Sequence, residues 1–207
     1  MYKRQANLTS SFSVGTGARI VNTQKAHTQG SLLTTDNSLD LAIEGGGFFQ
    51  VLLPDGRVGY TRNGTFSTNS EGVLTTSSGY VVQPEIALPD GVSQINISRD
   101  GIISVLVAGG VGAEAVGQLQ IADFTNRGGL QPIGESFYVE TDTSGAPIIG
   151  NPQDAGLGRV IQGALESSNV NVVTELVSMI ETQRAYEVSS KSITSVDEML
   201  RYISQNL

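Results

Sequence analysis

From Val172 to Leu207 the chain runs 36 residues without a glycine or a proline, although the residues before it hold all 25 glycines and all six prolines. A segment free of both helix breakers, with apolar residues at helical spacing, predicts one long helix. Asn169 or Asn171 can cap its first turn, and Glu175 sits where the positive end of the helix dipole favours a carboxylate. At ~1.5 Å per residue such a helix spans ~54 Å, against roughly 30 Å for a small domain. It therefore projects beyond the body that carries it.

One line of side chains recurs every seven residues: Val172, Met179, Tyr186, Ile193, Leu200 and Leu207. Leu176, Val173 and Ile180 flank its upper half, and Val196 and Ile203 its lower half; the companion line is broken by Gln183 and Ser190. This is a seam for another helix. Its candidate assembly residues are Val172, Leu176, Met179, Ile180, Tyr186, Ile193, Val196, Leu200, Ile203 and Leu207. Burying the six residues of the line contributes about 10 kcal/mol at ~1.5–3 each. A lone helix in water is marginal, so the partner matters. The pattern alone leaves two partners open: a second helix, or the β-rich part of the same chain.

That part reads as short strands and turns. "LAIEGGGFFQVLL" holds two apolar runs separated by Gly45-Gly46-Gly47, where a bulge or close backbone approach is expected. Asp55-Gly56, Asn63-Gly64 and Asp100-Gly101 predict tight turns with positive φ. "VGQLQIADF" and "RVIQGALE" each predict one strand. Strands of this length with turns every 8–12 residues indicate an all-β sheet or barrel. The expected fold class is mainly β: a discontinuous β domain, an extended connecting layer and one long C-terminal α-helix. The expected divisions are a connecting arm over 1–40, the β domain over 41–157, a returning connector over 158–170 and the helix over 171–207.

No residue pattern of a catalytic or metal-binding site stands out in the sequence. The chain has no cysteine, so no disulfide, thiol nucleophile or cysteine-bound zinc is possible. Its one histidine, His27, lies in a polar arm and is expected to be solvated. Gly45-Gly46-Gly47 lacks the Lys-Ser/Thr of a phosphate loop. A formal charge of −8 disfavours nucleic acid. No enzyme, cofactor, metal or small-molecule substrate is expected. A secreted adhesive or carbohydrate-binding β domain on a helical stalk is the rival from another class, and it requires a cleft lined with aromatics or paired carboxylates.

"GSLLTTDNSLDLAIEGGGFFQVLLPDGRVGYTRNGTFSTNSEGVLTTSSGYVVQP" and "GALESSNVNVVTELVSMIETQRAYEVSSKSITSVDEML" resemble the bacterial flagellar basal-body rod and hook family. "YTRNGTF" and "SSNVNVVTELVSMIETQRAYE" are most similar to its distal-rod branch, with the proximal rod and hook branches as alternatives. The resemblance implies a structural subunit that polymerises helically into a tube around an export channel, with terminal helices inside and β domains outside. It implies as partners other copies of the chain, the proximal rod protein, the hook protein and the surrounding P- and L-ring proteins. It implies a place in the basal body from periplasm to outer membrane, reached without a cleaved signal peptide. Members begin with a helix, of which only Tyr2-Lys3-Arg4 matches the tail here, and the stretch from Gln5 to Val14 is short. That absent helix is the implied partner of the seam.

Overall fold

A computed structural model describes residues 25–108, 112–154 and 156–205. The expectations placed on Tyr2-Lys3-Arg4, on Gln5 to Val14 and on Leu207 lie outside the described residues. The rest is mainly β, with one long C-terminal helix.

The largest sheet grows around β3 (Phe48–Leu52), which pairs antiparallel with β4 (Val58–Thr61), β7 (Val81–Gln83) and β11 (Ile121–Asp123). Beyond these lie β5 (Phe66–Thr68) and β6 (Leu74–Thr76) on one side, and β12 (Gln131–Gly134) and β13 (Phe137–Val139) on the other. β14 (Ile148–Gly150) adds to β11. Side chains alternate along β3, so Phe48 and Phe49 enter different cores. Phe49 joins Leu41, Val51, Phe66, Leu74 and Ile121 in the main cluster; Phe48 joins Tyr60, Ala122, Phe124 and Leu130 in a smaller, aromatic one. Both faces of β3 are covered, which explains its unbroken apolar run.

A second sheet, β8 (Val92–Ile97), β9 (Ile102–Val107) and β10 (Glu114–Gln118), closes the main cluster with Ile97, Ile103 and Val105. β2 (Leu41–Glu44) pairs with β15 (Arg159–Gln162), and β1 (Leu32–Thr34) pairs with β16 (Ala164–Glu166) in a separate two-stranded ribbon.

Three expectations need correction. "VGQLQIADF" is two strands, β10 and β11, because the chain changes sheets there: Leu119 is fully buried at the corner, its amide bonded to the Gly101 carbonyl. "RVIQGALE" also breaks, at Gly163, whose φ of +70° turns β15 into β16. Gly56 and Gly101 have the expected positive φ, at +82° and +81°, but Gly64 is not among the positive-φ glycines. Gly64 is required for another reason: a Cβ there would stand 1.5 Å from the Leu41 carbonyl oxygen.

Candidate assembly interface

The helix α1 (Val172–Gln205) begins on a defined cap. Asn171 Oδ1 accepts from the amides of Val173 at 3.0 Å and Thr174 at 3.3 Å, and the Asn171 carbonyl accepts from Glu175. These bonds satisfy amides that a bare helix end leaves unpaired. Of the two candidate caps, Asn171 serves. Asn169 instead ties the helix approach to the incoming arm, because its Nδ2 donates to the carbonyls of Ala26 and Thr28 and lies 2.8 Å from Thr28 Oγ1.

No described residue of α1 is buried. The seam residues Val172, Leu176, Met179, Ile180, Tyr186, Ile193, Val196, Leu200 and Ile203 are all exposed, from 49% at Ile180 to 76% at Tyr186. The β-rich part therefore does not cover the seam. A straight helix drifts about 20° per heptad against a seven-residue line. From Val172 to Leu200 the line thus winds about 80° around the helix, the sense followed by a left-handed supercoil.

The ribbon β1–β16 meets the rest of the body at a cluster centred on Arg62, at the end of β4. Its guanidinium donates five hydrogen bonds: Nε to Glu166 Oε2 at 2.7 Å, Nη1 to the carbonyls of Gly45 and Gly47, and Nη2 to those of Ile43 and Gly45. Five donors meet five bonds, so no donor of this largely covered side chain (20% exposed) is left over. Glu166 uses its other oxygen to accept from the Gly30 amide at 2.9 Å. Gln29 adds a bond to the Ile43 carbonyl and accepts from the Gly45 amide. The Gly45-Gly46-Gly47 turn is thus an acceptor platform. Its positive φ at Gly45 (+109°) and Gly47 (+130°) turns carbonyls toward the arginine, and Gly45 also closes on Gly158.

The incoming arm lies on the aromatic cluster. His27, expected to be solvated, is instead half-buried, its ring edge-on to Phe48 at 5.9 Å and Tyr138 at 5.3 Å. Burial first, then the charges of Arg127, Lys25 and Arg62, lower its pKa below the ordinary 6.5. Arg127 is held by Asp123 through a two-pronged ion pair at 2.6 and 2.7 Å. Burial pushes the Asp123 carboxyl up, but the bonds from Arg127 and the Phe124 amide and the Arg127 charge outweigh it and hold it below the usual range.

A groove of about 760 Å³ runs between the β1–β2 loop, the β5–β6 turn and the start of β8. Thr35, Asn37, Asn69, Asp90 and Ser93 line it, without an aromatic side chain. Among the described residues no group of three or more His, Asp or Glu side chains could hold a metal.

Residues 42–105 match the flagellar hook protein FlgE/F/G D1 domain, and residues 161–206 match the flagellar basal body rod FlgEFG protein C-terminal region. The chain is 50% identical over 97% of its length to the flagellar basal-body rod protein FlgG of Buchnera aphidicola subsp. Acyrthosiphon pisum, covering 77% of that protein. The chain belongs to the FlgG family. It is also 43% identical over 93% of its length to FlgG of Caulobacter vibrioides, covering 73% of it, and 33% identical over 87% of its length to the rod protein FlgF of that organism, covering 70% of it.

In this FlgG-family chain the Arg62 cluster bridges the two matched regions, with Arg62 in the first and Glu166 and Asn169 in the second. Periodicity could not have found it, because Arg62 and Glu166 are 104 residues apart. A second apolar line on the helix was legible and missed: Val177, Val188 and Met199 recur every eleven residues, each about half exposed or more. Eleven residues complete about three turns, so these three stay on one side while the seven-residue line winds past. A helix apolar on two sides has two sides to cover.

Proposed function

We propose that this chain is a structural subunit of the bacterial flagellar distal rod, self-assembling into a tubular drive shaft around the export channel. The observation that carries the reading is a 34-residue helix with no buried residue, joined to a β-rich part with its own closed core, in a member of the FlgG family. The seam from Val172 to Leu207 meets helices outside the described fold, and the β domain faces outward. Residues 1–40 and 158–170 form the connecting layer between the β domain (41–157) and the helix (171–207). The partners are further copies of the chain, the proximal rod protein, the hook protein and the surrounding P- and L-ring proteins. The site of action runs from periplasm to outer membrane, reached without a cleaved signal peptide. The role is mechanical, not catalytic.

The test is rod formation and swimming in cells that depend on this protein. Ile193→Asp and Leu200→Asp each place a carboxylate in the seam, at a cost of several kcal/mol per subunit unless it protonates. Both variants are expected to abolish rods while the purified protein keeps its melting transition, because distant sites add independently. Normal swimming by both variants rules out the helix as an assembly element.

A further inference from the structure

The ribbon β1–β16 is tethered to the body by single chain crossings. On one strand the crossing is Gly163, a positive-φ residue between β15 and β16. On the other it is the loop from Thr35 to Asp40. Two backbone bonds join these crossings, from Thr35 N to the Gly163 carbonyl at 2.7 Å and from Gly163 N to the Asp40 carbonyl at 2.8 Å. Alone, this arrangement is a swivel: a glycine at the corner and a short axis of two bonds. The ribbon's own face offers little apolar hold, since Leu32 and Leu33 are both exposed and its one buried side chain is the small Ala164, next to the corner and near β2.

Ties on both sides of the corner oppose the swivel. Just before it, the Gln162 amide is fully used: Nε2 donates to the carbonyls of Ser38 and Ile95, and Oε1 accepts from the Ile97 amide. It thereby closes the edge of β8 against the loop. Beyond the corner, at the end of β16, Glu166 is drawn back to the body by Arg62, which in turn is seated on three carbonyls, Ile43 in β2 and Gly45 and Gly47 in the turn after it. The lever arm is longest there, so the tie at Glu166 resists rotation about Gly163 most effectively. Glu166 also holds the incoming arm through Gly30, whose absent side chain lets it approach: a Cβ there would stand 1.9 Å from the Ser167 carbonyl oxygen.

We propose that Arg62 is the positioning residue of the subunit: it converts the Gly163 swivel into a locked joint, so that the ribbon and the base of the helix turn with the β body as one piece. The mechanical meaning rests on the rod reading. A shaft must pass torque between its helical core and its outer layer without slack, and an unlocked ribbon would let the two layers rotate independently. The lock depends on geometry as well as charge. A planar guanidinium can serve a carboxylate and three carbonyls together, whereas a lysine ammonium has three donors on one atom.

The experiment reads the joint in the purified, unassembled protein. The chain has no cysteine, so spin labels at Leu33→Cys on the ribbon and Ser77→Cys on the β6–β7 turn are unique. The label-to-label distance distribution is expected to be narrow and single in the parent. It is expected to broaden in Arg62→Lys, and to a smaller degree in Glu166→Gln, with the melting transition of the body retained. The exchanged pair Arg62→Glu with Glu166→Arg is expected to remain broad, because the relocated guanidinium no longer sits on the three carbonyls. Unchanged widths in Arg62→Lys and Glu166→Gln overturn the lock, and a narrow distribution in the exchanged pair overturns the role of the carbonyl seat. Neither result bears on whether the protein builds rods. Conversely, failure of the parent protein to support rods would overturn the rod reading and leave the measured widths as they are.

Discussion

The β body and the helix spend their apolar residues in opposite ways. In the body, Phe49 is fully buried and edge-on to Phe66 at 5.0 Å, among aliphatic side chains from three sheets. In the helix, Ile193 is 64% exposed and Tyr186 76%. The body satisfies its own sequence; the helix does not. Both apolar lines stand exposed on a helix that buries nothing, and that surface gains nothing from water. The Arg62 cluster lies on the chain's path between these two regions, its guanidinium 6.0 Å from the ring of Phe48 at the edge of the aromatic cluster.

Truncating matched residues on the two sides tests this contrast most strongly. Phe49→Ala is expected to destabilise the purified protein by about 3–5 kcal/mol, through lost burial and a residual cavity. Ile193→Ala is expected to change it by less than about 0.5 kcal/mol, as for an exposed position. Urea titration monitored by amide resonances of β3 and by helix ellipticity reads both. A large loss from Ile193→Ala would show that the seam is already covered within the chain.

Two glycines sharpen the same comparison inside the body. Gly64→Ala is expected to cost about 3 kcal/mol or more, since its Cβ would overlap the Leu41 carbonyl oxygen at 1.5 Å and the backbone must move. Gly56→Ala meets nothing within 4 Å, yet has φ +82°, so about 1 kcal/mol is expected from strain alone. Equal shifts in the two denaturation midpoints would show that Gly64 is a turn glycine after all.

Local pattern is informative as far as local forces act. The helix, the Gly45-Gly46-Gly47 approach and the turns at Gly56 and Gly101 are legible, because breakers, periodicity and positive φ are properties of a few neighbouring residues. Gly64 misleads because the same dipeptide serves a turn or a close contact, and only the partner, Leu41, decides. "RVIQGALE" looks like one strand because Gly163 interrupts no hydrophobic alternation, although it turns the chain between two sheets. The joint is invisible for a stronger reason. Arg62, Glu166, Gly30 and Asn169 have meaning only once residues more than a hundred positions apart are side by side. His27 is expected in water for the same reason: its polar neighbours in sequence are not its neighbours in space.

At the boundary between the regions, Asn171→Ala removes an oxygen that serves two helix amides. A loss of about 1 kcal/mol is expected, confined to the helix. Hydrogen exchange should quicken at Val173 and Thr174 and remain unchanged in β3. Faster exchange across β3 as well would mean that the helix start and the body unfold together.

The smallest effect concerns the arm and is read by pH. Docked, His27 lies against Phe48 and Tyr138, and the charged groups around it are Arg127, Lys25 and Arg62, with Glu166 lining the same recess. Burial and those three cations all favour the neutral ring, so its pKa in the folded protein lies below 6.5. A group with a lowered folded pKa binds its proton more readily when released. The contribution of His27 to docking is therefore complete above pH 6.5 and is lost as pH falls below 6.5 through the folded value. With a single histidine in the chain, one imidazole resonance reports the titration directly. Its midpoint is expected below 6.5, and the protection factor of the Gly30 amide, held by Glu166, is expected to fall over the same range. Arg127→Gln should move the midpoint upward, because it deletes a cation and leaves the Asp123 carboxylate unpaired. The midpoint should nevertheless stay below 6.5, since burial is the larger cause. A parent midpoint at or above 6.5 would place the ring in water and detach the arm from the aromatic cluster.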